Sequence, residues 1–541
     1  MDSNKTYDYI IVGGGSAGSV LANRLSASGE HRVLLLEAGP SDWNPLVHIP
    51  IFWTMISYHR AFNWGNKIEP ESAINNREMY WPRGKLLGGC SAINGMLHVR
   101  GHREDFNQWR DMGCEGWDWN SVLPYFNRSE GLTDDGTGAG TLDALKISEV
   151  EHSEISDLFI TACQTLGLKR IDSFNNGEHE GVAYYQGTVS DGRRQSLAYC
   201  YLKPARGRQN LDVVTGALCE RVSFEGQRAT GALVNKKGRS IQYVATREVV
   251  LCAGAINSPQ LLQLSGVGPS KLLQQHEIPL VAELEGVGQN LKDHLGTMVA
   301  YEVSGVETIW DSMNPVGLVK QLFRYLFHRR GLLNFPSSHV GAFFRSSTEQ
   351  PRPDIQLFFM PVGGDRDASN NTIMDRTSAV TAMILNVLPQ SSGSVMLRSA
   401  SPGDLPKIKA NYLDTEQDQR AMVEGFKQIR KIFLQQPMAG ICGEEIRPGK
   451  EVQDDAEILD YIRRQSTTGY HPVGTCKMGI DPMAVVDPQL RVHGCQNLRV
   501  ADASIMPDIV AGNTNAATVM IAEKASDMIL AAAKASGAKC P

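Results

Sequence analysis

Near its start the chain changes from one spacing of apolar residues to another, and this change predicts a strand, a helix and a second strand. An uninterrupted apolar run at 10–12 predicts the first strand, and apolar positions three and four residues apart predict a helix over 17–26. A second apolar run at 33–36 predicts the next strand, which ends at Glu37. Together these elements predict a βαβ unit with parallel strands.

Alternation of apolar and polar residues with a period of two predicts two further groups of strands. One group precedes the middle of the chain, and the other lies in its second half, where we expect a second sheet. The predicted strands are 211–216, 220–226, 229–238 and 240–252 in the first group, and 355–362, 381–388 and 392–399 in the second.

Helical spacing and cap residues predict four more helices. Ser258 and Pro259 suit the N-cap and the first position of one helix. Two others are predicted over 417–434 and 455–465, and a long one begins at residue 514 or 515 after a short strand.

The turn after the first strand carries the Gly-x-Gly-x-x-Gly spacing, with Gly13, Gly15 and Gly18. In a βαβ unit the first glycine permits a tight turn, the second lets a pyrophosphate approach the backbone, and the third lets helix and strand pack closely. Glu37 stands where a carboxylate accepts hydrogen bonds from ribose hydroxyls, and an acidic residue there argues against a 2′-phosphate. The unit therefore predicts a dinucleotide site, with pyrophosphate at the helix N-terminus.

Length and composition limit the other possibilities. A chain of 541 residues exceeds the size at which single hydrophobic cores stop growing, which predicts two connected domains. The content of 42% apolar and 21% charged residues is that of a globular protein, and a net charge of −6 argues against a nucleic-acid partner. The ten cysteines include no Cys-x-x-Cys pair, so we predict neither a metal site nor a redox dithiol, and expect a reducing compartment.

The sequence shows no pattern of a signal peptide or a membrane-spanning helix, but one segment could lie on a membrane surface. The first residues, MDSNKTYDYIIV, run directly into the first strand and lack the basic and apolar regions of a signal peptide. No apolar stretch reaches the length of a spanning helix, about 18 residues. The segment 316–333 combines apolar residues at helical spacing with basic residues, which suits a surface helix, although this pattern more often belongs to a helix packed on its own core. We expect a cytoplasmic protein, with peripheral contact to the inner face of a membrane left open.

Candidate chemistry lies in the C-terminal part of the chain. The sequence YHPVGTCKMG places His471 beside a proline and near a glycine, in a backbone suited to holding an imidazole in one place. A neutral imidazole, with an unperturbed pKa of about 6.5, can accept a hydroxyl proton near neutral pH. The long helix that follows offers its N-terminus to negative charge.

Three sets of motifs resemble the glucose-methanol-choline (GMC) family of flavoprotein oxidoreductases. They are the glycine fingerprint, the pair GKLLGGCSAIN at 84–94 and GAINSPQLLQLSGVG at 254–268, and the pair HPVGT at 471–475 and AGNTNAAT at 511–518. The resemblance covers essentially the full length of the chain. It implies bound FAD, a mixed α/β fold and the oxidation of an alcohol to a carbonyl compound.

The resemblance also implies a domain arrangement. A Rossmann-like FAD-binding domain is interleaved with a substrate domain, which is built on an antiparallel sheet with helices. We expect the FAD-binding domain to comprise 1–150, 201–296 and 466–541, and the substrate domain to comprise 151–200 and 297–465.

Two residues match the catalytic positions of the family. His471 matches the active-site histidine, and Asn513 matches a position that is histidine in some members and asparagine in others. The resemblance implies that His471 takes the hydroxyl proton while Asn513 holds the same oxygen, so that hydride passes to flavin N5. Some members attach the flavin through a histidine one residue before the loop asparagine, here Asn94. Ile93 stands in that place, so non-covalent FAD is expected.

The resemblance assigns the other cofactor contacts to the fingerprint, a loop along the flavin at 84–97, a backbone contact to adenine at 219–222, and a pyrophosphate and ribityl segment at 502–503. The expected cofactor-binding residues are Gly13, Gly15, Ser16, Ala17, Gly18, Glu37, Ala38, Trp64, Arg83, Leu86, Gly88, Gly89, Ser91, Asn94, Gly95, Met96, Leu97, Val222, Ala253, Gly254, Tyr470, Asp502, Ala503, Asn513 and Thr514.

The segments expected to form the substrate pocket, 49–59 and 332–336, are apolar and aromatic. The first belongs to an irregular stretch at 39–82 that predicts a functional loop or lid. Such walls favour an aliphatic or aromatic primary alcohol, unless these residues belong to the core. Choline-oxidising members hold the trimethylammonium group with a glutamate near the position of His339, so choline is disfavoured here. The expected pocket residues are His339, Phe335 and Phe359.

Several function classes stay open. The stretch TTGYHPVG resembles bacterial alcohol and choline dehydrogenases, which favours a dehydrogenase that passes electrons to a quinone or another acceptor. An alcohol oxidase that uses oxygen, a choline dehydrogenase and a non-redox lyase of the same fold are the alternatives. The sequence leaves the oligomeric state open.

Overall fold

A computed structural model describes residues 6–133, 144–366, 372–375, 377–535 and 537. Cys540 and the first five residues, on which part of the signal-peptide prediction rests, lie outside the described residues.

The first sheet is built around the predicted βαβ unit. Thr6–Val12 pairs in parallel with Val33–Leu36 on one side and with Arg239–Leu251 on the other. The two N-terminal strands are buried almost throughout, which explains their continuous apolar sequence. In spatial order the strands are Leu211–Val214, Val33–Leu36, Thr6–Val12, Arg239–Leu251, Arg228–Lys236 and Ala217–Glu225, with Leu498–Val500 also paired to Arg239–Leu251.

The second sheet is antiparallel throughout the described residues, as predicted for the substrate domain. Leu295–Val303 and Ala379–Asn386 form its centre, and both are apolar and buried on both faces over most of their length. In spatial order the strands are Cys442–Arg447, Leu295–Val303, Ala379–Asn386, Ile355–Met360, Val340–Phe344 and Gly181–Tyr184, with Thr467–Thr468 also paired to Leu295–Val303.

Short strands form small ribbons outside the two sheets. The predicted strand at 392–399 was assigned to the second sheet, and this prediction is wrong. Its observed part, Ser394–Met396, pairs with Lys407–Lys409, and the N–H groups of Gly393 and Val395 donate to the carbonyls of Leu291 and Gly288, so these segments occupy the edges that the second sheet would need. The other ribbons are Asn66–Lys67 with Tyr80–Trp81, Val189–Ser190 with Arg193–Arg194, Val267–Gly268 with Ala282–Glu283, Gly364–Arg366 with Thr372–Met374, and Gln186–Gly187 with Leu97–His98 and Ser148–Glu149.

The helices confirm the long periodic predictions at 17–26, 417–434 and 455–465 to within one residue at each end. In the described part of the chain the helices are α1 (Ser16–Leu25), α2 (Trp53–Tyr58), α3 (Arg103–Asp111), α4 (Trp119–Ser129), α5 (Glu154–Thr165), α6 (Lys203–Ala205), α7 (Gly254–Leu264), α8 (Ser270–Gln275), α9 (Pro315–His328), α10 (Glu416–Phe433), α11 (Asp455–Gln465) and α12 (Thr514–Ala535). None of these described helices is long and apolar enough to cross a membrane.

Helix α7 begins earlier than predicted. The expected start at Ser258 and Pro259 is wrong, because Asp502 accepts hydrogen bonds from the Gly254 N–H and the Ser258 hydroxyl and so fixes the first turn four residues upstream. Pro259 therefore lies inside the helix, where it cannot donate to the carbonyl of Ala255. The Thr475 hydroxyl donates to that carbonyl at 2.6 Å instead. A residue of the C-terminal motif thus completes the helix.

Two large hydrophobic cores surround the two sheets. Helices α1 and α12 pack against each other beside the first sheet, and a buried ion pair between Arg24 and Glu523 joins them. Helix α10 packs on the central strands of the second sheet. The site residues lie where segments of the two sheets meet.

Candidate active site

A cavity of about 630 Å³ lies between the two sheets. Val12 and Leu36 of the first sheet line one part of it, and Met298, Phe358 and Met383 of the second sheet line another. Its size is that of a pocket for a cofactor or a drug-sized ligand. Residues from distant parts of the sequence therefore share one enclosed space.

The glycines of the fingerprint differ in what surrounds them. A Cβ atom on Gly18 would clash with the carbonyl oxygen of Gly13, so only glycine lets α1 approach the first strand this closely. Gly13 has a φ of +107°, and its missing side chain faces the backbone of Cys252. A Cβ atom on Gly15 would instead point into the cavity, with the Cα of Gly89 as its nearest neighbour at 3.8 Å. The space beside Gly15 is thus free for a ligand.

Three helices begin at the wall of this cavity. The lining includes the first residues of α1, α7 and α12. The Ser16 hydroxyl donates to the amide oxygen of Asn515 at 2.7 Å, which fixes the N-termini of α1 and α12 next to each other. Unpaired N–H groups and the helix dipoles make such a place favourable for negative charge.

Two carboxylates among the described lining residues accept hydrogen bonds from backbone N–H groups of the turns at the N-termini of α1 and α7. We call these turns and helix N-termini the cradle. Glu37 accepts hydrogen bonds from the N–H groups of Gly14 at 2.9 Å and Gly39 at 2.7 Å. Burial raises its pKa to about 7, although those two hydrogen bonds act in the opposite direction. Asp502 accepts from the N–H of Gly254 and from Ser504 as well as Ser258. Both carboxylates therefore hold the turns that shape the cavity.

A buried arginine holds the loop at 84–97, and the sequence analysis did not find it. The guanidinium of Arg194 donates to the backbone and side-chain oxygens of Asn94, at 2.7 Å each, and to the carbonyls of Ser91 and Val47. Burial lowers its pKa to about 9. Because Asn94 lines the cavity, Arg194 positions the cavity wall from behind.

The backbone around His471 is held in place by hydrogen bonds to separate elements. Asp293 accepts from the His471 N–H at 2.7 Å and from the Thr468 hydroxyl at 2.6 Å, and the Tyr412 hydroxyl also donates to it. Arg83 donates to the carbonyl of Tyr470 at 2.7 Å. Tyr470 itself has a φ of +65°, a conformation that needs such support. The imidazole is therefore carried on a rigid backbone.

Hydrogen bonds on both ring nitrogens fix the tautomer of His471. The Asn513 amide nitrogen, which can only donate, lies 3.1 Å from Nε2, so Nε2 carries a lone pair. The Asn513 amide oxygen accepts from Gln356 at 3.3 Å, which sets this amide orientation. The ring proton of His471 is then on Nδ1, which lies 3.0 Å from Nδ1 of His294 and donates to it. Nε2 is the nitrogen with a lone pair on the side of Asn513.

Both histidines are neutral over the physiological pH range. Burial, assisted by the Arg83 guanidinium, lowers the pKa of His471 to about 3. Burial and the neighbouring His471 lower the pKa of His294 well below its ordinary value, against the effect of a hydrogen bond to the Val387 backbone. The unperturbed value assumed from the sequence therefore does not apply.

Most predicted site residues line the cavity, and a few lie behind it. The lining contains His471, Asn513, Gly13, Gly15, Ser16, Ala17, Glu37, Ala38, Trp64, Arg83, Gly89, Asn94, Gly95, Met96, Leu97, Ala253, Gly254, Tyr470, Asp502, Ala503, Thr514 and Phe335. The described lining residues do not include Gly18, Leu86, Gly88, Ser91, Val222, His339 or Phe359.

Three of the residues outside the lining have identifiable contacts, and alternation along a strand explains the position of one of them, Phe359. Phe358 faces the cavity, so its neighbour Phe359 points to the other side of the strand and stacks on Phe159 at 4.1 Å between ring centroids. His339 is buried behind Phe335, with ring centroids 4.5 Å apart. The Val222 N–H donates to the Ser265 hydroxyl at 2.9 Å, and the cavity is lined nearby by Ala217, Leu218 and Cys219.

His294 gives a direct test of the tautomer. We expect His294→Phe, which removes the acceptor for the His471 ring proton, to slow substrate-dependent flavin reduction about 10- to 100-fold without loss of bound flavin. His294→Asn keeps a polar group near the position of Nδ1 and should retain more of the rate. Stopped-flow absorbance measures both variants, and thermal melting separates the effect from lost stability. A Phe variant that reduces its flavin at the wild-type rate would show that the histidine pair does not matter.

Two segments of the chain, 7–296 and 389–522, match the GMC oxidoreductase family. An alcohol dehydrogenase [acceptor] of Pseudomonas putida is 43% identical, with 97% of this chain and 96% of that protein covered. The mitochondrial choline dehydrogenase of Homo sapiens is 40% identical, with 98% and 90% covered. The crystal structure of pyridoxine 4-oxidase from Mesorbium loti superposes with a TM-score of 0.86 at 33% identity, over 96% of this chain and 98% of that one.

A dinucleotide cradle joined to a histidine and asparagine pair defines an FAD-dependent oxidoreductase. The chain belongs to the GMC oxidoreductase family. The predicted family, the mixed α/β fold, the FAD cofactor and the enzyme class, oxidoreductases that act on alcohols, are confirmed.

The residues present fit this cofactor. The space beside Gly15 and the helix N-termini around it suit a pyrophosphate, and Glu37 lies at the end of the second strand, where ribose is expected. Residues of the loop at 84–97 line the same cavity as Gly15, His471 and Asn513. FAD would therefore be held by α1, the loop and the segment around Asp502.

Proposed function

We propose that this enzyme oxidises an apolar primary alcohol, aliphatic or aromatic, to the aldehyde, with His471 as the base that takes the hydroxyl proton. The observation that carries the proposal is the lone pair on Nε2 of His471, 3.1 Å from the Asn513 amide at the wall of the cavity. A neutral nitrogen beside a fixed donor is the arrangement that an alcohol oxygen needs in order to lose its proton and stay in place.

In this proposal, separate residues of the chain accept the proton and stabilise the alcohol oxygen. Nε2 of His471 accepts the hydroxyl proton, and the Nδ1 proton stays shared with His294. The Asn513 amide nitrogen lies 3.1 Å from Nε2, and it would donate to an alcohol oxygen placed next to both groups and stabilise the developing negative charge. The positive charge of Arg83, which also lowers the pKa of His471, acts in the same direction. FAD, when bound, would supply the two-electron oxidation as the acceptor of a hydride from the carbinol carbon.

The low pKa of His471 does not conflict with a role as base. The alkoxide and the imidazolium form together in the same cavity. Their opposite charges stabilise each other, so the transfer does not require a free imidazole of high pKa. In the free enzyme the low pKa keeps Nε2 unprotonated and ready at any pH well above 3.

The apolar wall supports an apolar substrate. The part of the cavity formed by the second sheet and the predicted lid includes Met298, Phe335, Phe358, Met383 and Trp53. The carboxylates among the described lining residues, Glu37 and Asp502, already accept backbone N–H groups in the cofactor cradle. His339 is buried and its pKa is lowered to about 4, so it offers no negative charge to a cation. Burying a quaternary ammonium without a partner is costly.

An anaerobic screen of alcohols tests this proposal. We expect unbranched and benzylic primary alcohols to bleach the flavin faster than choline does, by about tenfold or more at equal concentration. Absorbance of the oxidised flavin measures the rate, and a secondary alcohol of equal size serves as the control for chain length. If choline gives the highest rate in the panel, the substrate assignment fails and a choline dehydrogenase replaces it.

The same experiment addresses the electron acceptor. We propose a quinone or a similar carrier, in line with the alcohol dehydrogenase [acceptor] of Pseudomonas putida. Admitting air to the bleached enzyme should then restore the flavin colour slowly, whereas a soluble quinone should restore it fast. Rapid reoxidation in air with formation of hydrogen peroxide would assign the protein to the oxidases. We also propose a cytoplasmic location, with peripheral contact to the inner face of a membrane.

A further inference from the structure

Helix α9 exposes its apolar side, whereas an amphipathic surface helix normally buries that side. Its buried residues are the polar Gln321 and Tyr325, and the Tyr325 hydroxyl donates to the carbonyl of Gly192 at 2.8 Å. Its large apolar residues face outward. The exposed ones are Val316, Leu318, Val319, Leu322, Phe323, Leu326 and Phe327, with Val316 at 79% and Phe327 at 67% of full exposure. The prediction that this segment packs on its own core is therefore wrong, because polar anchors hold the inner face.

These side chains form one continuous surface, which we call the α9 face. Phe323 and Phe327 are in contact, with ring centroids 4.2 Å apart, and the positions three and four residues apart place the others beside them. A soluble monomer rarely exposes an apolar surface of this extent without a partner. We therefore expect this surface to bind an apolar partner.

Basic residues border the α9 face. Lys320, Arg329 and Arg330 are exposed, and Arg324, His328 and Arg330 surround a shallow recess together with Phe327. Three acidic side chains near α9, within the described part of the chain, have partners inside the protein. Glu151 binds Arg324 and the Gly331 N–H, Asp311 binds Thr308 and Ser378, and Glu307 binds Ser312. The apolar surface thus has a positively charged rim.

We propose that the α9 face docks on an anionic lipid bilayer. A bilayer accepts the apolar side chains at its acyl boundary and pairs its phosphate groups with the basic rim. A second copy of the chain fits less well, because it would bring a second positively charged rim to the contact and no anionic groups to pair with it. At 14 residues α9 is about 21 Å long, too short to cross the hydrocarbon layer, so it lies in the plane of the interface.

The α9 face adjoins segments that line the cavity. Gly331 and a short helical turn at Leu332–Asn334 connect α9 to Phe335, which lines the cavity. That turn packs on α9 and on the turn Pro50–Phe52, whose residues 51 and 52 also line the cavity. Met55, on the helix that follows, is 60% exposed. If the proposed function holds, an apolar alcohol and a lipid-soluble acceptor reach the site from the bilayer.

Vesicle co-sedimentation of the FAD-loaded enzyme tests the docking. We expect binding to vesicles of phosphatidylcholine and phosphatidylglycerol in equal parts, and weaker binding to phosphatidylcholine alone or at raised ionic strength. Phe323→Ser with Phe327→Ser should reduce the partition coefficient about tenfold or more. Leu434→Ser with Ile480→Ser is the matched control, because both residues are as exposed as the phenylalanines but belong to other elements.

The outcomes separate docking from activity. All variants should keep their flavin and reduce it at the wild-type rate with a small water-soluble alcohol, since none of these residues lines the cavity. Absence of vesicle binding by the wild type, or unchanged binding by the double Phe variant, would overturn the proposal. A wild-type dimer in sedimentation velocity that this variant dissociates would assign the face to a second copy. Failure of every alcohol to bleach the flavin would instead refute the proposed function and leave the docking result standing.

Discussion

Replacing His471 with alanine will leave FAD bound and slow its reduction by an alcohol about 10²- to 10⁴-fold, the range expected when a general base is lost. The cavity and its cradle do not depend on the imidazole, because Asp293 and Arg83 hold the surrounding backbone through main-chain atoms. The residual rate should rise with pH as solvent takes over the role of base. Stopped-flow reduction with unlabelled and deuterated alcohol measures the effect.

Asn513→Ala is the matched comparison. It removes a positioning donor and leaves the proton acceptor, so its loss should be smaller. A His471→Ala enzyme that reduces its flavin at the wild-type rate would make this histidine structural. The flavin absorbance before mixing shows whether each variant still binds the cofactor, and thus whether the comparison is valid.

The pH profile of the wild-type enzyme belongs to the same test. His471 must be neutral to accept a proton, and its pKa is lowered to about 3, so the neutral form is lost only when the pH falls far below 6.5. The ascending limb of the plot of kcat/KM against pH should therefore lie in the acid range. Between about pH 6 and 8, titration of His471 should not change the rate. Arg83→Met removes a positive charge that lowers the pKa, and should move the limb to higher pH.

Replacing Gly15 with valine will give a colourless protein without bound FAD. A Cβ atom at this position points into the space beside the N-terminus of α1, where the pyrophosphate is expected, and the valine methyl groups would fill it. The fold should survive, since the nearest atom to that Cβ is 3.8 Å away. Absorbance of the purified protein and FAD released by heat measure the effect.

Gly207→Val is the control for this variant, because Gly207 is exposed and a Cβ atom there meets nothing within 4 Å. It should stay yellow. The wild type should release intact FAD when denatured, as the isoleucine at position 93 cannot form the histidyl link. Yellow colour that remains on the precipitated wild-type chain would contradict non-covalent binding, and a yellow Gly15→Val would contradict the assignment of the cradle.

The cofactor cradle could be predicted from the sequence because local geometry dictates its residues. A tight turn and a close helix permit only glycine at 13 and 18, and both constraints act within a few residues of the chain. The long periodic helices α10 and α11 were predicted for the same reason. The interleaved domain boundaries rest on the family resemblance and stay a prediction.

Other features could not be predicted because they depend on contacts between distant segments. The start of α7 is set by Asp502, about 250 positions later, and no local signal competes with Ser258 and Pro259. His294 and Asp293 look like ordinary residues in a turn, and only the folded structure places them against His471. Because apolar residues occupy both faces of this strand, the sequence does not say which of Phe358 and Phe359 faces the cavity. A shift of the strand register by one residue would reverse the two faces.

The strand Leu498–Val500 has a consequence for how the protein is made. It is the last described strand of the first sheet in chain order, and Asn513 and α12, which packs on α1, follow it. A ribosome therefore completes the N-terminal nucleotide unit only when it has synthesised nearly the entire chain, and contacts of such long sequence separation form slowly. The cavity itself is complete only at that stage, because Asp502, Asn513 and Thr514 are part of its lining.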